Sequence, residues 1–221
     1  LPYIFESAQS QTLLKNIKKP LVSGFFSYQE GNLYNSITNS EQEIKYNKRK
    51  LVPFGEYIPF DELLRGLIEF FDMPMSNLSK GENAVIMDVG HGSFSPLVCF
   101  DIVFGNMVRK DVKSSDYIIN VSNDTWFGNS FGPYQHLEIS RIRAIENNVS
   151  IIRATNDGIS ALINVNGTFV DYMGKGESGI LHVELVPTNV RTFYNQYGNL
   201  LLYFYFFMVF LRIFFVRMRN A

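Results

Sequence analysis

Residues Ser95–Phe104 read SPLVCFDIVF, a dense apolar run with the length of a β-strand. Tyr117–Ser122 (YIINVS) and Ser150–Ala154 are predicted as two further strands, and Pro133–Asn148, between them, repeats apolar residues at the spacing of a helix. Strands that alternate with a helix in this way predict a mixed α/β sheet with helices packed on it.

Shorter elements flank this central region. Pro20–Tyr28 and Asn32–Thr38 are predicted to form two strands joined by a glycine-containing turn. Asp61–Phe71 has the apolar spacing of a short helix, and Ile180–Val186 is predicted as a last strand. The elements together favour one large α/β domain.

Composition excludes several classes of protein. The chain has 221 residues, 46% of them hydrophobic, which is enough to bury a core without disulfides. Its single cysteine excludes an internal disulfide, and the Cys and His residues lack zinc-ligand spacing. A formal net charge of -1 gives no electrostatic basis for binding nucleic acid. We therefore expect neither a metal nor a nucleic-acid partner.

The aromatic residues are concentrated near the C-terminus. Leu200–Val216 reads LLLYFYFFMVFLRIFFV and is followed by Arg217 and Arg219. A helix of this length spans about 26 Å, close to the ~30 Å of a bilayer core, and Arg212 is near enough to its end to reach the membrane surface. We predict a transmembrane helix, with a buried core helix as the alternative. The basic C-terminal flank predicts a cytoplasmic C-terminus and an external domain, periplasmic in a bacterium.

The N-terminus begins LPYIFES, with no Met and no signal-peptide pattern. A domain exported across a membrane needs an upstream signal or membrane segment. We therefore expect this chain to be the C-terminal part of a longer protein.

Cys99 is the one cysteine in the chain. A lone cysteine in an apolar strand is either a small buried hydrophobic residue or a nucleophile at the end of the strand. A nucleophile needs a nearby cation and a base, and His91, His136 and His182 are too scattered to assign. The residues that offer a cation and a carboxylate lie in Tyr46–Pro59 (YNKRKLVPFGEYIP).

A second informative segment is the glycine-rich loop Asn120–His136 (NVSNDTWFGNSFGPYQH), which follows a predicted strand. These two segments and VCFD (98–101), followed by RIRAIENN (141–148) and RATNDGIS (153–160), resemble the successive motifs of the apolipoprotein N-acyltransferases. That family is a membrane-bound bacterial branch of the nitrilase, or carbon–nitrogen hydrolase, superfamily. The resemblance covers nearly the whole chain, including the C-terminal apolar helix.

The resemblance implies a fold and a catalytic group. It implies a four-layer α-β-β-α sandwich over residues 1–191, N-terminally incomplete, followed by a transmembrane helix and basic tail over 192–221. Cys99 matches the nucleophile. Lys48 matches the lysine that favours the thiolate and stabilises the oxyanion, and Glu56 matches a second carboxylate that orients this lysine.

The resemblance also implies substrate contacts. Trp126 and Tyr57 match positions around the acyl pocket. Phe100 and Asp101 stand where the family commonly has Tyr and Glu, and we place them in the substrate-binding set too. The glutamate that acts as general base is expected upstream of Leu1, since Glu6 is not in the matching motif. The isolated chain is therefore predicted to be inactive.

The reaction implied has two steps and needs no metal or soluble cofactor. Cys99 takes a fatty acyl group from a membrane phospholipid as a thioester, and the N-terminal diacylglyceryl-cysteine of an apolipoprotein then accepts it. The partners are the phospholipid, the apolipoprotein and the bacterial inner membrane. Two alternatives stay open: a membrane-tethered nitrilase-type amidase, and an inactive remnant of the acyltransferase.

Overall fold

The computed structural model describes residues 19–40, 42–59, 77–188 and 190–219 and places most of them on two β-sheets. The described strands are β1 (Val22–Gln29), β2 (Asn32–Asn39), β3 (Gln42–Asn47), β4 (Met87–Asp88), β5 (Ser93–Val98), β6 (Tyr117–Asn123), β7 (Ser150–Asn156), β8 (Ser160–Ile163) and β9 (Phe169–Met173). The described α-helices are α1 (Gly105–Asp111), α2 (Gly132–Asn147), α3 (Phe193–Tyr197) and α4 (Leu200–Arg219).

The two sheets differ in topology. β1, β2 and β3 form an antiparallel sheet of three strands. β4 to β9 form a sheet of six strands in sequence order, in which β5, β6 and β7 are parallel and the outer pairs are antiparallel. The carboxyl ends of β5, β6 and β7 therefore meet at one edge, which is where α/β proteins place their ligands.

The central strands are buried on both faces. Leu97 and Ile118 belong to a core shared with α1 and α2, whereas their neighbours Val98 and Ile119 belong to a core shared with the smaller sheet. Burial of both faces explains why β5 and β6 read as continuous apolar runs instead of alternating patterns. The expected sandwich is thus confirmed, with two sheets and one helical layer among the described residues.

The structure differs from two of the sequence predictions, and a third cannot be compared with it. The predicted strand Ser95–Phe104 ends at Val98, and Cys99–Val103 forms a 3₁₀ helix. The prediction of a strand over Ile180–Val186 is wrong: this segment is irregular, and both of its terminal side chains are 81% exposed, so no sheet face covers them. The helix predicted over Asp61–Phe71 lies outside the described residues.

The C-terminal helix α4 has 20 residues and is long and apolar enough to cross a membrane. The described part of the domain buries none of its side chains. This exposure differs from that of a core helix, whose apolar side chains are covered by the domain.

Candidate active site

Cys99 lies where β5 ends and the chain turns sharply. Its φ angle is +47°, a left-handed conformation that non-glycine residues adopt at a cost of about 1–3 kcal/mol. We call residues 98–101 the elbow. The Cys99 side chain is half-buried, at the edge where the parallel strands end. A partly accessible cysteine in a strained turn at this edge suits a nucleophile.

Lys48 lies just after β3 and is 1% exposed. Its Nζ donates to Glu56 Oε2 at 2.6 Å. The same carboxylate accepts from the Val52 backbone N–H at 2.8 Å and from Asn35 Nδ2 at 3.2 Å. Because two further donors hold the Glu56 carboxylate, the ammonium group of Lys48 that bonds to it has a defined direction.

The backbone around Lys48 is held by a close approach of a second segment. The Gly81 N–H donates to the Lys48 carbonyl at 2.8 Å. A Cβ atom on Gly81 would lie 2.2 Å from the Asn47 carbonyl oxygen, so only glycine fits here. The position of Lys48 is therefore fixed at its backbone as well as at its ammonium group.

Asp101 joins the elbow to the segment that carries Lys48. Its carboxylate accepts from Tyr46 Oη at 2.8 Å, from the Lys50 N–H at 2.9 Å and from the Val98 N–H at 3.2 Å. Burial raises the pKa of Asp101 to about 6, although the Tyr46 hydrogen bond and the positive charge of Lys48 act in the opposite direction. Asp101 was expected to bind substrate, but it is fully buried and acts as an internal brace.

The other expected substrate contacts are aromatic residues that are exposed or half-buried. Trp126, in the 3₁₀ turn Thr125–Phe127, is 71% exposed. Tyr57 is half-buried, and its carbonyl accepts from the Phe54 N–H at 2.8 Å. Phe100 packs edge-to-face on Phe104, with ring centroids 5.7 Å apart. These aromatic side chains are accessible, and a role in binding an acyl chain stays a prediction.

The structure adds residues that sequence reasoning did not select. His136 Nε2 lies 3.2 Å from the Cys99 carbonyl oxygen, and His136 Nδ1 lies 3.0 Å from Asp124 Oδ1. Arg153 Nη2 donates to Asp124 Oδ2 at 2.7 Å. All three residues fall inside the motif segments, but their sequence separation of 12 to 37 positions gave no sign of contact.

One ligand atom each from Cys99, Asp124 and His136 lies within 4.8 Å of the other two. A thiolate, a carboxylate and an imidazole are ligands that zinc accepts. Here the carboxylate and the imidazole already hydrogen-bond to each other, and the imidazole also contacts the cysteine backbone. Asp124 and His136 therefore form a hydrogen-bonded pair that contacts the backbone at Cys99.

Residues 6–195 match the carbon–nitrogen hydrolase family. The chain is similar to an apolipoprotein N-acyltransferase of Vibrio parahaemolyticus, with 41% identity over 163 residues, 73% of this chain and 32% of the relative. It is also similar to one of Pseudomonas syringae pv. tomato, with 42% identity over 181 residues, 80% of this chain and 35% of the relative. The chain thus spans about a third of the length of these curated relatives.

Solved structures share the fold at lower identity. A carbon–nitrogen hydrolase superfamily protein of Xanthomonas campestris aligns with a TM-score of 0.57 and 17% identity, covering 80% of this chain and 68% of that one. A glutamine-dependent NAD+ synthetase of Acinetobacter baumannii aligns with a TM-score of 0.60 and 20% identity, covering 76% of this chain and 32% of that one.

Proposed function

The chain belongs to the carbon–nitrogen hydrolase family, and from this premise we propose that it catalyses the phospholipid-dependent N-acylation of apolipoproteins. The observation that carries the proposal is the elbow at Cys99, which Asp101 joins to the segment with the buried Lys48–Glu56 pair. The relatives named apolipoprotein N-acyltransferase, at about 40% identity, supply the reaction class.

In the first step the Cys99 thiolate attacks the carbonyl carbon of a phospholipid acyl ester. A carbon–sulfur bond forms, and the carbonyl electrons move onto oxygen, where the Lys48 ammonium group stabilises the negative charge. The tetrahedral intermediate then expels the alkoxide of the lysophospholipid, which takes a proton from the acid form of the general base. We assign this base to a glutamate outside the 221 residues. The product on the enzyme is a thioester.

In the second step the α-amine of the diacylglyceryl-cysteine attacks the thioester carbon. The amine loses a proton to the general base, a carbon–nitrogen bond forms, and the carbon–sulfur bond breaks to restore the Cys99 thiolate. The thioester divides a slow aminolysis of an ester into two easier steps. The product is an amide-linked, triacylated lipoprotein.

We further propose that α4 anchors this domain in the bacterial inner membrane. Arg217 and Arg219 lie in the last turn of the helix and Arg212 in its C-terminal half, which favours a cytoplasmic C-terminus and a periplasmic catalytic domain. An anchor keeps the active site near both lipid substrates and raises their effective concentration. Exposed Trp126 and Phe131, in the loop between β6 and α2, provide aromatic surface for acyl chains.

The test uses the complete protein in detergent, a phospholipid with a labelled acyl chain and a diacylglyceryl lipopeptide. We expect transfer of label to the peptide amine, loss of this transfer in Cys99→Ala, and a loss of about 100-fold or more in Lys48→Met. Lys113→Met removes an exposed lysine and serves as the matched control. The 221-residue chain alone is expected to transfer no label, because we assign the general base to a glutamate outside it.

Two results would contradict the proposal. Release of labelled free fatty acid, or of ammonia from small amides, without acylation of the peptide would favour an amidase. A complete protein that retains no label and acylates nothing would favour an inactive remnant.

A further inference from the structure

A group of buried polar side chains lies beneath Cys99 and has no part in the Glu–Lys–Cys chemistry described above. Asp124 follows β6, His136 is in α2 and Arg153 is in β7, and each is at most 3% exposed. We call these residues the Asp–His–Arg cluster. Three separate elements thus bring a carboxylate, an imidazole and a guanidinium group to one point below the elbow.

The cluster reaches Cys99 through a backbone atom. His136 Nε2 lies 3.2 Å from the Cys99 carbonyl oxygen, and Asn120 Nδ2 donates to the same oxygen at 3.5 Å. A carbonyl oxygen can only accept, so His136 Nε2 must carry a hydrogen and donate it. This donor therefore fixes the orientation of the peptide group that follows the nucleophile.

The imidazole ring is itself held in place. Its Nδ1 lies 3.0 Å from Asp124 Oδ1 and 3.0 Å from Arg153 Nη2. Burial alone would raise the pKa of Asp124, but the His136 hydrogen bond and the charge of Arg153 outweigh burial and lower it. The backbone at Gly158 packs closely against the cluster, since a Cβ atom on Gly158 would lie 2.5 Å from Asp124 Oδ2.

The strain at Cys99 explains why such support is needed. A left-handed φ at a non-glycine residue persists only where the surroundings determine it. Asp101 holds the N–H of Val98 on one side of Cys99, and the cluster holds the carbonyl of Cys99 on the other. The elbow is thus fixed on both sides of the nucleophile.

We propose that the Asp–His–Arg cluster is a positioning device that uses the His136 Nε2–H donor to hold the Cys99 carbonyl and thereby aim the thiolate. The role of Cys99 as nucleophile rests on the proposed function. His136 is a positioning residue in this scheme, because it acts through the backbone and not on the substrate. A hydrogen-bond donor at Nε2 is required, whereas a proton acceptor is not.

The test compares two uncharged replacements in the complete protein. His136→Gln keeps an amide donor at the place of Nε2, and His136→Asn keeps one only at the place of Nδ1. The readout is alkylation of Cys99 by iodoacetamide across a range of pH, followed by mass spectrometry of the peptide that contains Cys99. In this reaction the thiolate sulfur bonds to the methylene carbon and iodide leaves with the electron pair.

We expect alkylation to slow by about tenfold or more in His136→Asn and to stay within about threefold of the unmodified protein in His136→Gln. Leu137→Val, at the neighbouring buried position of α2, is the control for packing and is expected to change the rate little. Thermal unfolding of each variant separates loss of positioning from loss of the fold.

Equal rates for His136→Asn and the unmodified protein would overturn the proposal, and so would a His136→Gln variant as slow as His136→Asn. The second result would mean that His136 acts as a base or through its charge. If His136→Asn does not fold, the rate of His136→Gln alone decides. Alkylation needs no lipid, so a failure of acyl transfer by the unmodified protein would refute the proposed function without changing these ratios.

Discussion

At the scale of single residues, the site depends on the positive charge of Lys48, whose side chain is almost inaccessible to solvent. The Lys48 side chain is 1% exposed and that of Glu56 is 12% exposed, and their charged atoms are 2.6 Å apart. A buried ion pair adds little stability compared with apolar residues, but removal of one partner leaves the other charge unpaired. Glu56 is therefore needed for folding as well as for orienting Lys48.

Glu56→Gln tests this dependence. We expect the free energy of unfolding to fall by about 3–5 kcal/mol, since the ammonium group of Lys48 loses its counter-charge inside the domain. Asp157→Asn breaks the more exposed Lys175–Asp157 pair and is expected to cost about 1 kcal/mol or less. Denaturant titrations of the two variants measure the difference, and equal costs would contradict the account.

Asp101 gives the fold a dependence on pH. Its pKa rises from 3.8 to about 6 on folding, because burial disfavours the charged carboxylate. Between these values the folded state binds the extra proton, so stability is higher at low pH and decreases as pH rises through this range. The difference between the two pKa values corresponds to roughly 3 kcal/mol.

Asp101→Asn removes this titration. We expect the difference in the free energy of unfolding between the unmodified protein and the variant to shrink by roughly 2 kcal/mol as pH rises from about 4 to about 6. Urea titrations at a series of pH values measure it, with Asp171→Asn as the control for an exposed carboxyl group. A difference that does not change with pH would show that Asp101 titrates alike in both states.

At the scale of elements, the segment before α4 is tied to both helices that border the site. Asn195 Nδ2 donates to the Arg109 carbonyl in α1 at 3.1 Å and to Asn147 Oδ1 in α2 at 2.8 Å, and Arg109 Nη1 donates to the Asn195 carbonyl at 3.0 Å. α1 begins a few residues after the elbow, and α2 carries His136. The orientation of α4 is therefore coupled to the two elements on which the nucleophile depends.

Asn195→Ala breaks this connection. We expect the domain to lose about 2 kcal/mol of stability, because buried acceptors in α1 and α2 lose their donor. Gln196→Ala, at the exposed neighbouring position, is expected to change stability little. Thermal unfolding in detergent measures both. An Asn195→Ala variant as stable as the unmodified protein would show that other contacts hold the segment before α4 to α1 and α2.

Sequence patterns predicted the parts of the fold that depend on local order. The bounds of β6, β7 and α2 agree with the prediction within two residues, because a local pattern of apolar residues marks each of them. The strand predicted for β5 is six residues too long at its C-terminal end, since the apolar run continues through the 3₁₀ helix. Ile180–Val186 failed because apolar alternation indicates a strand only where another strand pairs with it. The place of Cys99 at a strand end was anticipated, but its left-handed φ was not.

The contacts of the Asp–His–Arg cluster with the elbow could not be predicted from the sequence, for a different reason. His136, Asp124 and Arg153 come from separate elements, and their contacts arise only when the parallel strands bring α2 over the sheet. The sequence alone therefore assigns no role to His136. The prediction that Asp101 binds substrate rests on its match to a position where the family commonly has Glu, whereas the 3₁₀ turn directs its carboxylate inward.

At the scale of the whole molecule, we propose that the catalytic domain lies on one side of a membrane and a short basic end on the other. α4 is exposed along its length, and its arginines lie at the C-terminal end. Moving several arginines across a bilayer costs more than retaining them, so the cytoplasmic side is expected to hold this end.

Reporter fusions test the orientation. Green fluorescent protein joined after Arg219 is expected to fluoresce, and alkaline phosphatase at the same place is expected to be inactive, because each works on one side of the inner membrane only. The same reporters joined after Val190, ahead of α4, are expected to give the opposite results. Active phosphatase after Arg219 would reverse the proposed topology.

The central claim is that Cys99 carries an acyl group as a thioester. The most direct measurement is the intact mass of the complete protein, extracted from its own membranes, before and after neutral hydroxylamine. We predict an added mass of a long-chain acyl group that hydroxylamine removes and that is absent as a thioester in Cys99→Ser. An unmodified mass in the native protein, or an adduct that survives in Cys99→Ser with the same sensitivity to hydroxylamine, would contradict the account.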